Sequence, residues 1–247
     1  MAHRLETSTG RTLAYHKTNG TGPGVVFLGG FMSDMNGTKA VYLEDWARQQ
    51  GRAFLRFDYS GHGESSGKFE DGCIGDWAED AQAAVTALTK GPQILVGSSM
   101  GGWIALLLAR RMPERISGLV GVAAAPDFTE DSMWPSLSDS QRRQISDEGQ
   151  TLLPNPYEAP YTLTRRLFED GRHHLVLRSP LPLPFPVRLV QGTADEAVET
   201  SVPLRLLGHA ECHDMRLTLV KDADHRFSTS DCLAMITDAI AEVSRRG

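Results

Sequence analysis

Gln93-Ile94-Leu95-Val96-Gly97-Ser98-Ser99-Met100-Gly101-Gly102-Trp103 decides how the rest of the chain is read. An apolar run rich in β-branched residues meets Gly-x-Ser-x-Gly, and the Ala/Leu-rich segment Ile104 to Ala109 follows at once, which reads as strand, sharp turn and helix. The serine of such a turn holds strained backbone angles, so its neighbours must be small, and Gly97 and Gly101 meet that need. Ser99 then projects its hydroxyl above the sheet. The Met100 N–H, at the start of the helix, is placed to stabilise a developing oxyanion. The pentapeptide also occurs in ordinary loops, and on a rival reading Ser98 and Ser99 merely cap the helix. A catalytic turn needs a base and an acid from elsewhere in the chain.

At 247 residues the chain can bury a substantial core, as one α/β domain carrying an insertion. A formal charge of −6, with no long block of like charge, argues against nucleic acid or an anionic membrane surface as partner. Cys73, Cys212 and Cys232 lie far apart and show no zinc or redox spacing, which fits a reducing compartment. Residues Met1 to Gly10 hold no apolar core followed by a cleavage site, and no apolar run is long enough to span a bilayer. The expectation is a cytoplasmic enzyme without membrane insertion.

Thr12 to Thr18 alternates loosely as an edge strand, and Gly20 to Gly24 reads as a turn. Val25-Val26-Phe27-Leu28 is apolar without alternation, as in a parallel strand covered on both faces. It ends at Gly29-Gly30-Phe31, where glycines let the backbone approach a ligand oxygen or a neighbouring loop; the Phe31 N–H is the second candidate oxyanion donor. Lys39 to Ala47 has helical spacing, Ala53 to Asp58 reads as a strand, and Tyr59 to Gly67 as a rigid glycine-rich loop rather than a phosphate cradle, since no Gly-Lys-Ser/Thr ending is present. Helix spacing recurs over Ile74 to Leu88, and Ile116 to Ala125 reads as another strand. Alternating strands and helices with right-handed crossovers predict a mostly parallel, doubly wound sheet with helices on both faces.

The rhythm stops at Pro126. Residues 127–186 contain helical segments from Ser138 to Gly149 and from Tyr161 to Gly171, then the proline-rich Ser179 to Pro186, and have the size and position of a lid inserted into a core of residues 1–126 and 187–247. Met133, Trp134, Leu152, Leu153 and Tyr157 are candidates to line a substrate path, or equally to fasten the lid down. Val187 to Gly192 resumes the sheet, Leu204 to Cys212 is a helix candidate, Met215 to Val220 the last strand, and Asp231 to Arg245 the closing helix.

In this fold class the triad runs in the order serine, acid, histidine, each on a loop beyond the C-terminal end of a strand. His225 directly follows the last strand and is the candidate base; His62 lies before Ser99 in a loop that reads as structural, and His209 and His213 belong to a helix and the turn after it. Asp195, in the loop after the preceding strand, is the candidate acid, with Glu196, Asp222 and Asp224 as local competitors. Together these parts imply acyl transfer through an acyl-enzyme, with no metal or organic cofactor required.

Gly29 to Ala40, Arg56 to Gly61, Gly91 to Trp103 and Asp224-His225-Arg226 resemble the α/β-hydrolase domain-containing protein 10 family, and His173-His174 and Ser179-Pro180 continue the likeness beyond the lid. The run Asn36-Gly37-Thr38-Lys39-Ala40 is far more specific than the elbow. Mitochondrial animal members of that family are described as palmitoyl-protein thioesterases and acyl-glucuronide esterases. The resemblance implies nucleophile, acid and base roles for Ser99, Asp195 and His225, and an acylated small molecule or S-acylated protein as substrate. The chain starts almost at the hydrolase domain, which suggests a bacterial cytoplasmic homologue, and the likeness is weakest in the lid. The rival readings are a carboxylesterase or a lactone or acyl-glucuronide hydrolase with the same triad, and a binding module that kept the fold and lost catalysis. Oligomeric state is not legible.

Overall fold

The computed structural model describes residues 2–153 and 160–245. Ten strands and eight α-helices are seen among them, in chain order β1 (His3–Glu6), β2 (Thr12–Thr18), β3 (Thr21–Leu28), α1 (Thr38–Gln49), β4 (Arg52–Phe57), α2 (Ile74–Leu88), β5 (Gln93–Ser98), α3 (Met100–Arg111) and β6 (Ile116–Val122). Then follow α4 (Trp134–Ser136), α5 (Asp139–Glu148), β7 (Gln150–Leu153), β8 (Tyr161–Thr164), α6 (Arg165–His173), β9 (Val187–Gly192), α7 (Ser201–His209), β10 (Met215–Val220) and α8 (Ser230–Ser244).

Eight strands form one sheet in the order β1-β2-β4-β3-β5-β6-β9-β10, antiparallel at the β1 and β2 edge and parallel from β4 onward. The α/β expectation of a mostly parallel, doubly wound sheet holds. Strand alternation divides the core. Val25, Phe27, Ile94, Val96, Val120 and Val122 face Ala40, Leu43 and Ala47 of α1 and Ile236, Ile240 and Val243 of α8. Val26, Leu28, Leu95 and Leu119 face the other way, onto Trp77 and Val85 of α2 and Trp103 and Leu107 of α3. From β3 the chain moves to β4 on one side and returns to β5 on the other, so the strand order reverses between β3 and β5, where open α/β sheets open a crevice beyond the carboxyl ends. The registers Leu28↔Gly97, Ser98↔Val122, Val122↔Val190 and Val220↔Gly192 bring the loops after β3, β5, β6, β9 and β10 to the same edge.

Several local readings change. β1 has no counterpart in the sequence pattern, because three of its four residues are exposed and only Leu5 packs against the core. β3 begins at Thr21, within the expected turn, and its register against β4 shifts between Thr21 and Val25, which accommodates the Gly/Pro stretch. β6 stops at Val122 instead of running to Ala125, because Ala123 adopts φ 46°. Tyr161 to Thr164, read as the start of a helix, pairs instead with Gln150 to Leu153; three of these four residues are aromatic or β-branched, and the Thr164 side chain then accepts from Leu167 N–H to start α6. α7 begins at Ser201, before the expected Leu204, since Pro203 is tolerated in a first turn. No helix among the described residues is long and apolar enough to cross a membrane.

Candidate active site

Ser99 sits between β5 and α3 at φ 53° and ψ −120°, backbone angles that a serine adopts only where surrounding structure enforces them. The enforcement is visible. Its N–H donates to Val122 O at 2.9 Å, and its carbonyl accepts from Gly102 N–H at 2.9 Å and Ala125 N–H at 3.0 Å. A Cβ on Gly97 would lie 2.4 Å from Gly101 O, and one on Gly101 would lie 2.0 Å from Leu28 O, so neither position admits a larger residue without moving backbone. The Ser99 side chain makes no capping bond to α3, which removes the capping alternative and leaves the hydroxyl for other work.

That hydroxyl lies 3.2 Å from His225 Nε2, and His225 Nδ1 lies 2.9 Å from Asp195 Oδ2. A carboxylate opposite Nδ1 places the ring proton on that nitrogen, so Nε2 presents a lone pair to the Ser99 hydroxyl. Asp195 is buried, and both of its oxygens are occupied: Oδ1 accepts from Ala197 N–H at 2.9 Å and Val198 N–H at 2.8 Å, and Oδ2 accepts from Gln191 Nε2 at 2.8 Å. Burial works to raise the Asp195 pKa, but hydrogen bonds from His225, Val198 and Gln191 outweigh it and hold the carboxyl below its ordinary value. Gln191 belongs to no sequence motif of the site. It stands fully buried one residue from the end of β9, and a buried polar side chain just before the loop of the candidate acid is the signal that marks it. Glu196, Asp222 and Asp224 are exposed, and Asp224 closes its own turn by accepting from Phe227 N–H. Phe227, fully buried at φ 48°, anchors the far side of the His225 loop, and Lys39 Nζ donates to Arg226 O from α1.

Gly30 lies over the elbow: a Cβ there would be 3.4 Å from the Ser99 Cβ. Among the described residues neither the Phe31 N–H nor the Met100 N–H has an acceptor in the protein. The Phe31 ring is wedged edge-on against Phe69, Trp77 and Phe128 at 4.8, 6.0 and 5.7 Å. A cavity of about 310 Å³ runs beside the elbow, bordered by Gly30, Ser33, Lys39, Ser98, Arg226 and Ser228.

The other histidines are placed elsewhere. His62 is buried against Ser60 O and Met32 N–H, His209 Nε2 faces Ser179 O at 2.8 Å, and His174 pairs with Asp170, while His173 and His213 are exposed. Among the described residues no group of three His, Cys, Asp or Glu side chains is placed to hold a metal ion.

Met133, Trp134, Leu152 and Leu153, read as substrate-lining, do not border the cavity beside the elbow. Trp134 packs edge-on against Phe168 at 5.0 Å and beneath the Arg172 guanidinium, so it fastens the inserted segment to itself. Met133 and Leu153 are half-buried against the core, whereas Leu152 is 59 % exposed because it alternates outward on β7. Tyr157 lies outside the described residues.

Residues 23–167 match the alpha/beta hydrolase fold family. The chain is 37 % identical over 239 residues to the mitochondrial palmitoyl-protein thioesterase ABHD10 of Rattus norvegicus, covering 94 % of this chain and 80 % of the relative. A solved structure from Agrobacterium vitis S4 superposes with a TM-score of 0.94 at 38 % identity, covering 99 % of this chain and 98 % of the other. Mouse alpha/beta hydrolase domain-containing protein 10 superposes with a TM-score of 0.89 at 33 % identity, covering 98 % and 97 %. The chain belongs to the α/β-hydrolase domain-containing protein 10 family, within the α/β hydrolases.

Proposed function

We propose that this chain is a serine hydrolase that cleaves acyl thioesters or carboxylic esters through an acyl-enzyme, with long-chain S-acyl groups as the favoured substrate class. The continuous chain of contacts from Asp195 Oδ2 through His225 to Ser99 Oγ, at 2.9 and 3.2 Å, carries the reading. His225 Nε2 takes the Ser99 proton as Oγ attacks the acyl carbon, and Asp195 stabilises the imidazolium that forms. The N–H groups of Phe31 and Met100 receive the negative charge that develops on the carbonyl oxygen. Collapse of the tetrahedral species expels the thiolate or alkoxide, which leaves with the proton from His225, and water then attacks the acyl-enzyme by the same route. No step requires a metal or organic cofactor.

The thioester assignment is supported by the 37 % identity to a named palmitoyl-protein thioesterase. Residues 127–186 serve as a lid over a core of residues 1–126 and 187–247. A second reading, a carboxylesterase of short acyl groups, is favoured by one observation: Trp134 is engaged by Phe168 and Arg172, and Leu152 faces solvent, so neither builds an acyl channel. A panel of acyl thioesters from two to sixteen carbons, beside oxygen esters of the same acyl groups, separates the two. kcat/KM rising with chain length on thioesters supports the first reading, and activity confined to short oxygen esters replaces it with the second.

A further inference from the structure

His62 is attractive as a base in the sequence, yet its partners lie on the oxyanion side of the site. Its side chain is almost fully buried, ringed edge-on by Tyr59, Phe69 and Trp77 at 5.6, 5.2 and 5.1 Å. Nδ1 lies 3.1 Å from Ser60 O, which can only accept, so the proton belongs on Nδ1 and Nε2 keeps a lone pair. Met32 N–H donates into that lone pair at 3.3 Å. Burial lowers the His62 pKa and so keeps the ring neutral and able to accept.

Met32 follows Phe31 directly and stands at φ 55°, where a side chain other than glycine is strained and needs outside anchors. Three anchors are present. Ser33 N–H closes a turn onto Gly30 O at 3.2 Å, the Phe31 ring is wedged among Phe69, Trp77 and Phe128, and His62 holds the peptide that joins Phe31 to Met32. Phe69 and Trp77 touch both the His62 and Phe31 rings, so one aromatic cluster sets both.

We infer that His62 is a positioning residue for the oxyanion hole, its neutral ring fixing the Phe31–Met32 peptide so that the Phe31 N–H stays aimed at the reacting oxygen. This rests on the reading of Ser99 as nucleophile and of Phe31 as donor. Because the donor's hydrogen bond strengthens as charge develops, losing its alignment lowers kcat and leaves KM nearly unchanged.

The test compares His62→Phe, which keeps a ring in the cluster but cannot accept, with His62→Gln, whose Oε1 reaches the place of Nε2. The expected result is a fall in kcat of roughly 10- to 100-fold for His62→Phe with KM within about twofold. His62→Gln should recover most of that loss, and a fluorophosphonate should titrate the same fraction of Ser99 in all three proteins. Wild-type kcat in His62→Phe would overturn the inference, as would equal losses in both variants accompanied by equal falls in Tm. Nitrogen NMR of the wild-type ring gives a reading independent of any variant's folding: a proton on Nδ1 agrees with it, and a proton on Nε2 contradicts it. Failure of the parent reading looks different, because Ser99→Ala would then keep wild-type turnover, and the role of His62 would fall with it.

Discussion

The sheet edge around Ser99 and the described residues between Asp127 and Pro186 are held in different ways. At the sheet edge, position is set by backbone contact: Gly97 and Gly101 pack against main-chain atoms, Ser99 is tied by three backbone hydrogen bonds, and the walls are apolar. Between Asp127 and Pro186, Leu163, Leu167, Phe168, Val176 and Leu181 pack into the apolar core, and ion pairs, most of them within the segment, add to that packing. Asp127, fully buried at φ 58°, accepts from Val176 N–H at 2.8 Å, Leu177 N–H at 3.0 Å and Arg178 at 2.6 Å. Asp131 pairs with Arg178 and Arg205, Arg172 with Glu130, and Asp170 accepts from Gly75 N–H on α2. The elbow is over-determined by sterics, while the segment from Asp127 adds to its apolar packing polar contacts that charge and pH can loosen.

Substitutions can sharpen or break that contrast. The largest expected effect is on Asp195→Asn, which keeps the shape of the triad but reverses the tautomer preference of His225; kcat should fall about 10⁴-fold with little change in Tm. A fall below tenfold would remove Asp195 from the mechanism. Next is Gly101→Ala, whose Cβ would sit 2.0 Å from Leu28 O. It should destabilise the fold by roughly 4 kcal/mol or more, read by thermal or denaturant unfolding, and a stable, active variant would show that the elbow has slack. Asp127→Ala strips two buried N–H groups and an arginine of their acceptor and should lose roughly 2–4 kcal/mol, while a small soluble ester is still turned over within severalfold of wild type. If both stability and turnover collapsed, the two regions would be one unit.

The smallest effects concern two histidines of opposite sign, one in each region. Burial pushes the His62 pKa below 6.5, so the unfolded chain takes up that proton first and the fold loses stability as pH drops below 6.5 toward the depressed value. The hydrogen bond to Asp170 raises the His174 pKa, so its contribution is complete below 6.5 and is lost as pH climbs through the raised value. Across about pH 5 to about pH 8.5, His62→Gln should flatten the acid side of a Tm profile and His174→Gln the other side, each by a few degrees, about 2–4 °C per kcal/mol in a chain of this size. Unchanged slopes would contradict the assignment.

The difference between the regions also explains what the sequence discloses. Val25 to Leu28, Gln93 to Ser98 and Val187 to Gly192 are buried on both faces, so their apolar runs declare the strands, and the glycines around Ser99 declare a turn that no other residue fits. Chain order then brings His225 and Asp195 within reach of Ser99. Gln191 and the contact of His62 with Met32 stay hidden because they depend on pairs of residues 4 and 30 positions apart whose meeting the loops alone decide. The inserted segment is less legible for a related reason: α5 has few buried residues, β7 and β8 form a small hairpin, and its ion pairs join partners that are not written in any periodicity. Trp134 looks like a substrate contact until Phe168 and Arg172 are seen against it.

The central claim is that acyl groups pass through Ser99. Rapid acid quench of the enzyme during turnover of an acyl thioester, followed by digestion and peptide mass spectrometry, tests it directly. The acyl mass is expected on the peptide containing Ser99 and is expected to be absent from an inactive Ser99→Ala variant. Turnover with no adduct on that peptide, together with wild-type rates in Ser99→Ala, would contradict the assignment.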